Sequence, residues 1–253
     1  MVPTRLPVPP RHPVPPCHPD HVRISATTTD LPCHPDTVRI SATTIPSTTR
    51  TYEQVLQSAG LGPVAGADEA GRGACAGPLV AAAVILSSDP DRQIPGLDDS
   101  KALSPAARDR LCRQIIDHAA AYAWVAVEAR DCDRMGLQQA NLHALRTAVE
   151  NLDIAPGFVI TDGFFVPNLE MESLGMWKAD KVVACVSAAS ILAKVTRDRI
   201  MDDLDEVYPG YEFSRHKGYA TAVHQRHLDE LGPCPQHRMN YGNVARAARV
   251  DPS

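Results

Sequence analysis

Two adjacent carboxylates, Asp68 and Glu69, close a short apolar run and are followed almost at once by Gly71-Arg72-Gly73. The run from Val64 to Asp68 has the length and composition of a buried strand, so the acids are delivered to a strand end. Glycines let backbone N–H groups come close to an anion, whereas carboxylates beside them repel that anion unless divalent cations stand between. The pattern therefore demands an open strand edge and points to chemistry on a phosphodiester. Gly71-Arg72-Gly73-Ala74-Cys75-Ala76 also satisfies G-x-G-x-x-A, the dinucleotide fingerprint. That fingerprint must open a helix. Here Gly77-Pro78 leads instead into Leu79 to Leu86, which reads as a second strand, and the dinucleotide reading fails on that ground.

From residue 51 onward the chain reads as an alternating α/β domain. Ser104 caps a helix that has Pro105 in its first turn and runs to about Ala121. Tyr122 to Glu128 returns as a strand, and Leu137 to Leu152 is an amphipathic helix. Phe158 to Gly163 is an apolar strand that ends on Asp162 and a glycine. Val182 to about Val207 reads as a long helix closed by Pro209-Gly210, with further helices around Thr221 to Leu231 and at the C-terminus.

Residues 1–50 differ from the rest, holding eleven of the 22 prolines and no Phe, Trp or Tyr, and this composition predicts a disordered tail. Residues 17–28 nearly recur at 33–44, but two copies cannot build a solenoid. The Cys-His steps inside the repeat lack the spacing of a zinc site, which leaves tandem duplication of a tail as the better reading. A hydrophobic fraction of 44% is ample for a packed core in the remaining chain. The formal net charge of -5 argues against indiscriminate binding to polyanions, so contact with nucleic acid requires a local basic face or bound metal. No run approaches the roughly 20 apolar residues that span a bilayer, and the N-terminal segment lacks the apolar core of a signal peptide. A cytoplasmic protein with no membrane contact is expected. The seven cysteines form no CxxC pair and are expected to be reduced thiols, with Cys112 and Cys185 as small core residues.

Asp68, Glu69, Asp162 and Asp180 are the acids expected to converge. Asp68 and Asp162 end predicted buried strands, where open α/β sheets form their ligand crevices, and Asp180 precedes the long helix. Neighbouring carboxylates in a crevice either share protons or hold cations. Oxygen ligands without a nearby Cys or His cluster favour magnesium or manganese over zinc. Two such ions about 4 Å apart can activate water and stabilise the leaving oxygen of an in-line displacement. Taken singly, Asp162-Gly163 could be a turn and Asp180 a helix N-terminal charge. The Asp68-Glu69 pair has no such packing purpose.

Six ordered segments together resemble ribonuclease HII, the type 2 ribonuclease H family, over residues 51–245: Ala67 to Gly73, Leu97 to Ser104, Ile160 to Gly163, Lys178-Ala179-Asp180, Ser187 to Asp198, and His216-Lys217-Gly218-Tyr219. The resemblance implies a ribonuclease H-like fold, a five-stranded mixed sheet flanked by helices, with a helical C-terminal extension. It implies endonucleolytic cleavage of RNA in RNA–DNA hybrids, including incision 5′ of a single ribonucleotide in duplex DNA, with Mn2+ or Mg2+ as cofactor. Asp68, Glu69, Asp162 and Asp180 match the family's four catalytic, metal-binding acids. Gly71, Arg72 and Gly73 match the loop that senses the 2′-hydroxyl, and Tyr219 matches the tyrosine at the RNA–DNA junction. Only the 2′-hydroxyl distinguishes RNA from DNA at one nucleotide, and rigid backbone groups can test for it at close range. Lys101, Ser187, Lys194, Arg197 and Lys217 are candidates for phosphate contacts, although a Lys or Arg on an exposed helix is usually a solvated charge. The expected partners are RNA–DNA hybrid and ribonucleotide-containing duplex DNA, bound by a monomer; no residue indicates a sliding-clamp contact.

Two departures stand out. Ala179 occupies a position where the family usually has Gly, so the backbone beside Asp180 is expected to be less free. The Pro-rich tail has no counterpart. Other readings of the same acids are a type 1 ribonuclease H, a resolvase, or a catalytically silent nucleic-acid binder.

Overall fold

The structure, a computed structural model, describes residues 50–97, 100–101 and 103–249. The duplicated Pro-rich segment, and Asp98, Asp99 and Ala102 of the second motif, lie outside the described residues. The elements are α1 (Thr51–Ser58), β1 (Val64–Ala70), β2 (Leu79–Ile85), α2 (Pro105–His118), β3 (Ala121–Val127), α3 (Ala129–Met135), α4 (Leu137–Glu150), β4 (Phe158–Asp162), β5 (Glu172–Met176), α5 (Ala184–Val207), α6 (Phe213–His216), α7 (Ala222–Leu231) and α8 (Gly242–Ala247). The five strands form one mixed sheet in the order β3-β2-β1-β4-β5. β1 pairs antiparallel with β2 and parallel with β4, and β4 pairs parallel with β5. The C-terminal ends of β1, β4 and β5 therefore share one edge.

Alternation along β2 explains the layers. Leu79, Ala81, Ala83 and Ile85 face α4 with Ala144, Leu145 and Ala148, while Val80, Ala82 and Val84 face α2 and α5 with Leu111, Ile115, Ala188 and Leu192. Both faces are covered, which is why β2 reads as an unbroken apolar run. Helix α5 lies directly on β1: a Cβ at Gly66 would stand 2.2 Å from the Cys185 carbonyl carbon, so only glycine permits this approach. Cys112 and Cys185 are buried free thiols, as expected.

Ser104 caps α2 by accepting from the Ala107 N–H at 3.3 Å, with Pro105 opening the helix. A remote residue holds the N-terminus of α5, where buried Glu53 accepts from the Cys185 N–H at 2.7 Å. Arg50 donates to the Ser87 carbonyl at 2.8 Å, so this residue belongs with the folded unit. Among the described residues no helix is long and apolar enough to cross a membrane.

Candidate active site

Successive side chains on β1 point to opposite faces of the sheet, and this separates the two adjacent acids. Glu69 shares the parity of Ala65 and Ala67 and faces α4, where it lies beside Asn141. Asp68 shares the parity of Ala70 and faces α5, beside Ser190. Ala67 stands opposite Thr161 in the parallel register, so the next step along both strands sets Asp68 beside Asp162. Asp180 arrives from a single 3-10 turn, Ala179–Lys181, just before α5. Two bonds hold that turn: the Ala179 N–H donates to Asp162 Oδ1 at 2.7 Å, and Ser187 Oγ donates to the Asp180 carbonyl at 2.5 Å. One carboxylate oxygen each from Asp68, Asp162 and Asp180 then lies within 4.8 Å of the others.

Burial, reinforced by Glu69 and Asp162, holds the Asp68 carboxyl well above the usual carboxylate range. Burial and Asp162 also push Glu69 up to about 7, against the opposing pull of Arg72, Asn141 and Lys101. Glu69 Oε2 is buried with no hydrogen-bond partner among the described residues. Three converging carboxylates and a fourth with an unpartnered oxygen fit a hard divalent cation. In chelator-treated protein, stability is expected to fall as pH rises from about 4.5 toward 7, because folded Glu69 keeps a proton that the unfolded chain has already released. The raised Asp68 acts in the same direction. Saturating divalent cation should abolish the decline, and a flat melting profile over this window in chelator would show that folding does not raise the titration of these acids.

A cleft of about 490 Å³ opens beside the acids, lined by Asp68, Glu69, Gly71, Arg72, Gly73, Lys101, Lys194 and Tyr219 among others. The Gly71–Gly73 loop at its wall is held from below. Gly71 has φ +83°, and a Cβ there would stand 1.8 Å from Arg197 Nε. Arg197 donates to the carbonyls of Pro78 (2.9 Å), Lys217 (2.9 Å) and Ala76 (3.1 Å). Arg238 donates to the carbonyls of Gly77 and Arg72, and the Tyr241 hydroxyl donates to the Arg72 carbonyl at 2.7 Å. The Arg72 side chain leaves the loop to reach Gln138 Oε1 at 3.2 Å and lies over the Phe164 ring. Gly73 is exposed, and a Cβ there would meet nothing within 4 Å.

Not every expected contact reaches the cleft. Lys101 is exposed at its rim, and half-buried Lys194 pairs with Asp198 at 2.6 Å. Lys217 lines a neighbouring cavity of about 420 Å³, which Lys194 also borders, and it pairs with Asp202. Ser187 and Arg197 require correction: both are fully buried and bonded to backbone carbonyls, so neither is placed to touch phosphate. Beside Asp180 the residue in the left-handed region is Lys178, with φ 59°, while Ala179 lies in the 3-10 turn, a conformation alanine adopts without strain.

Sequence reasoning missed Arg238, Tyr241, Asn141 and a buried trio of histidines. His224 Nδ1 lies 2.9 Å from the Tyr219 carbonyl, and its Nε2 lies 3.1 Å from His237 Nε2. His237 Nδ1 accepts from the Cys234 N–H at 3.0 Å, so His237 donates to His224 and His224 donates to Tyr219. His216 stacks on His224 with ring centroids 4.1 Å apart. Burial lowers His224 and His237 to about 4, keeping both neutral at neutral pH and this chain of bonds intact. Tyr219, 39% exposed, sits on that support with its ring 5.6 Å from the Arg197 guanidinium carbon. None of these residues carries a periodic sequence signal.

Residues 65–244 match the family model described as Ribonuclease HII. The chain is 60% identical over 202 residues to Ribonuclease HII of Cutibacterium acnes, covering 80% of this chain and 99% of that protein. It is 54% identical over 198 residues to Ribonuclease HII of Rhodococcus erythropolis, covering 78% and 88%. Among solved structures it resembles ribonuclease H2 from Pyrococcus horikoshii OT3, with a TM-score of 0.64 at 27% identity, covering 73% of this chain and 96% of that one. The structure of the PCNA:RNase HII complex from Archaeoglobus fulgidus is similar at a TM-score of 0.59 and 26% identity, covering 70% and 94%. With its acids gathered at one sheet edge in a fold shared with these enzymes, the chain belongs to the ribonuclease HII family and is a metal-dependent hydrolase acting on RNA in RNA–DNA hybrids.

Proposed function

We propose that this enzyme incises duplex DNA on the 5′ side of a single embedded ribonucleotide as well as cutting longer hybrids, leaving 5′-phosphate and 3′-hydroxyl ends. The observation that carries this reading is that a locked glycine loop and Tyr219 share one cleft with Asp68 and Glu69. Groups that test for one 2′-hydroxyl must be rigid and must stand beside the reacting phosphate. Arg197 and Arg238 supply that rigidity from beneath the loop.

Asp68, Asp162 and Asp180, with Glu69 beside them, would hold magnesium or manganese. When bound, two such ions supply an activated water and neutralise charge on the leaving oxygen. The loop backbone of Gly71, Arg72 and Gly73 orients the ribose, and the Tyr219 ring presses against the sugar at the junction. Lys101 and Lys194, with Lys217 from the adjoining cavity, draw in the phosphate backbone without reading its sequence.

Comparing a duplex that carries one ribonucleotide with a long hybrid tests this. Tyr219→Phe should keep most activity, whereas Tyr219→Ala should lose about ten-fold or more on the single ribonucleotide at an unchanged melting temperature. Gly73→Leu projects into open space, so it should leave the fold intact and block close approach of both RNA-containing substrates. Equal loss on both substrates with a matching fall in melting temperature would make Tyr219 a packing residue.

A further inference from the structure

Aromatic side chains are scarce here, at 5% of the chain, yet among the described residues Trp177 and Phe165 are the two most exposed large apolar side chains, at 79% and 64%. Both lie within three residues of an acid along the chain, Phe165 after Asp162 and Trp177 before Asp180. Trp177 directly follows Met176, which pairs with Asp162 across β4 and β5, and three residues later the chain reaches Asp180. The segment between them is fixed, since the Ala179 N–H is bonded to Asp162 and Lys178 adopts a left-handed conformation. Phe165 follows the Phe164 ring that lies under Arg72, and its backbone packs on β5, where a Cβ at Gly175 would stand 2.5 Å from the Phe165 nitrogen. Lys178 brings a cation 6.0 Å from the centre of the Trp177 ring.

Nothing in the packing of the domain requires this exposed tryptophan. Position supplies a reason for it. β5 is two strands from β1, roughly 10 Å at about 4.8 Å per strand, or about three base-pair steps of 3.4 Å. Tyr219 lies on the β1 side of the acids and Trp177 on the β5 side, so a duplex with its scissile phosphate on the carboxylates extends over both. Flat aromatic rings next to a lysine suit the sugars and phosphates along the backbone of a duplex.

We propose that Trp177, with Phe165 and Lys178, forms a second substrate contact that grips the nucleic-acid duplex about three nucleotides from the cut, on the side away from Tyr219. This rests on the nuclease assignment for where the substrate lies. Trp177 contributes to binding and touches no reacting atom, so its loss weakens capture and leaves the chemical step unchanged.

The experiment uses the full chain and an RNA–DNA hybrid. Trp177→Ala should raise KM roughly ten-fold, the change that ~1.4 kcal/mol of lost backbone contact gives, at unchanged kcat and melting temperature. Trp177→Phe should restore most of the affinity. Trimming the duplex arm that reaches β5 should raise the wild-type KM to that of the variant. In a Trp124→Phe background Trp177 is the sole tryptophan, and its emission should be quenched by the hybrid in calcium without cleavage. Normal cleavage by wild type with unmoved Trp177 emission and an unchanged Trp177→Ala KM would overturn the contact. Sedimentation showing that Trp177→Ala converts a dimer to a monomer, with KM unchanged, would overturn it in favour of a second copy of the chain. Quenching by the hybrid with no cleavage by wild type in Mg2+ or Mn2+ would uphold the contact and defeat the nuclease reading instead.

Discussion

Asp68→Asn is expected to abolish cleavage of an RNA–DNA hybrid and, in chelator, to raise the melting temperature above that of the wild type. The two effects share one cause. Asp68 is buried beside Glu69 and Asp162, so its charge is unfavourable until a cation neutralises it. Asparagine keeps the shape and an oxygen able to accept from the Glu69 N–H, which Asp68 Oδ1 accepts at 2.7 Å, but it cannot supply the charge that holds the metal. Loss of several kcal/mol of transition-state charge stabilisation corresponds to at least about a thousand-fold in rate. Single-turnover cleavage together with calorimetric titration of Mn2+ and thermal melting would check all three consequences. Wild-type turnover by Asp68→Asn at ordinary metal concentration would remove Asp68 from the mechanism.

The parts of this fold legible in the sequence are those set by local pattern. β1, β2 and β4 are apolar runs closed by turn residues, Ser104-Pro105 marks a helix start, and Asp162 ends β4 as expected, whereas β1 runs past Asp68 to Ala70 because pairing with β2 continues through Glu69 and Ala70. β5 escapes such reading because it is a half-exposed edge strand, Glu172-Ser173-Leu174-Gly175-Met176, with no run of β-branched residues. The divergence of Asp68 and Glu69 follows from strand alternation. The nearness of Asp180 does not, since it depends on the bond from Ala179 to Asp162 across the sheet edge.

Arg197 shows why long-range polar contacts are hidden. An arginine near the middle of a helix reads as solvated, and only the tertiary structure reveals that the Gly71–Pro78 loop and the Lys217 carbonyl close over it. The same holds for His224 and His237, whose partners come from separate loops. Such groups are recognised by the carbonyls they satisfy, and those are set by topology.

Arg197→Met separates the two roles open to that residue. A phosphate contact would lose substrate affinity while the protein melted as before. The observed geometry predicts the reverse order of events. Methionine fills much of the volume but leaves the carbonyls of Pro78, Ala76 and Lys217 without their donor, each buried carbonyl costing about 1–3 kcal/mol. Relief from burying a cation offsets part of this, since burial lowers the Arg197 guanidinium to about 10 and it stays charged at neutral pH. A net loss on the order of 4–5 kcal/mol would lower the melting temperature by roughly 10–20 °C for a domain of this size. Lysine should rescue little, because one ammonium cannot reproduce a planar fork aimed at three separate carbonyls. The Gly71 loop and the Tyr219 ring both rest on this guanidinium, so cleavage of single ribonucleotides and of long hybrids should fall together, with the surviving folded fraction impaired on both. Thermal melting of Arg197→Met and Arg197→Lys beside KM on the two substrates is the measurement. An unchanged melting temperature with a raised KM would return Arg197 to the substrate interface.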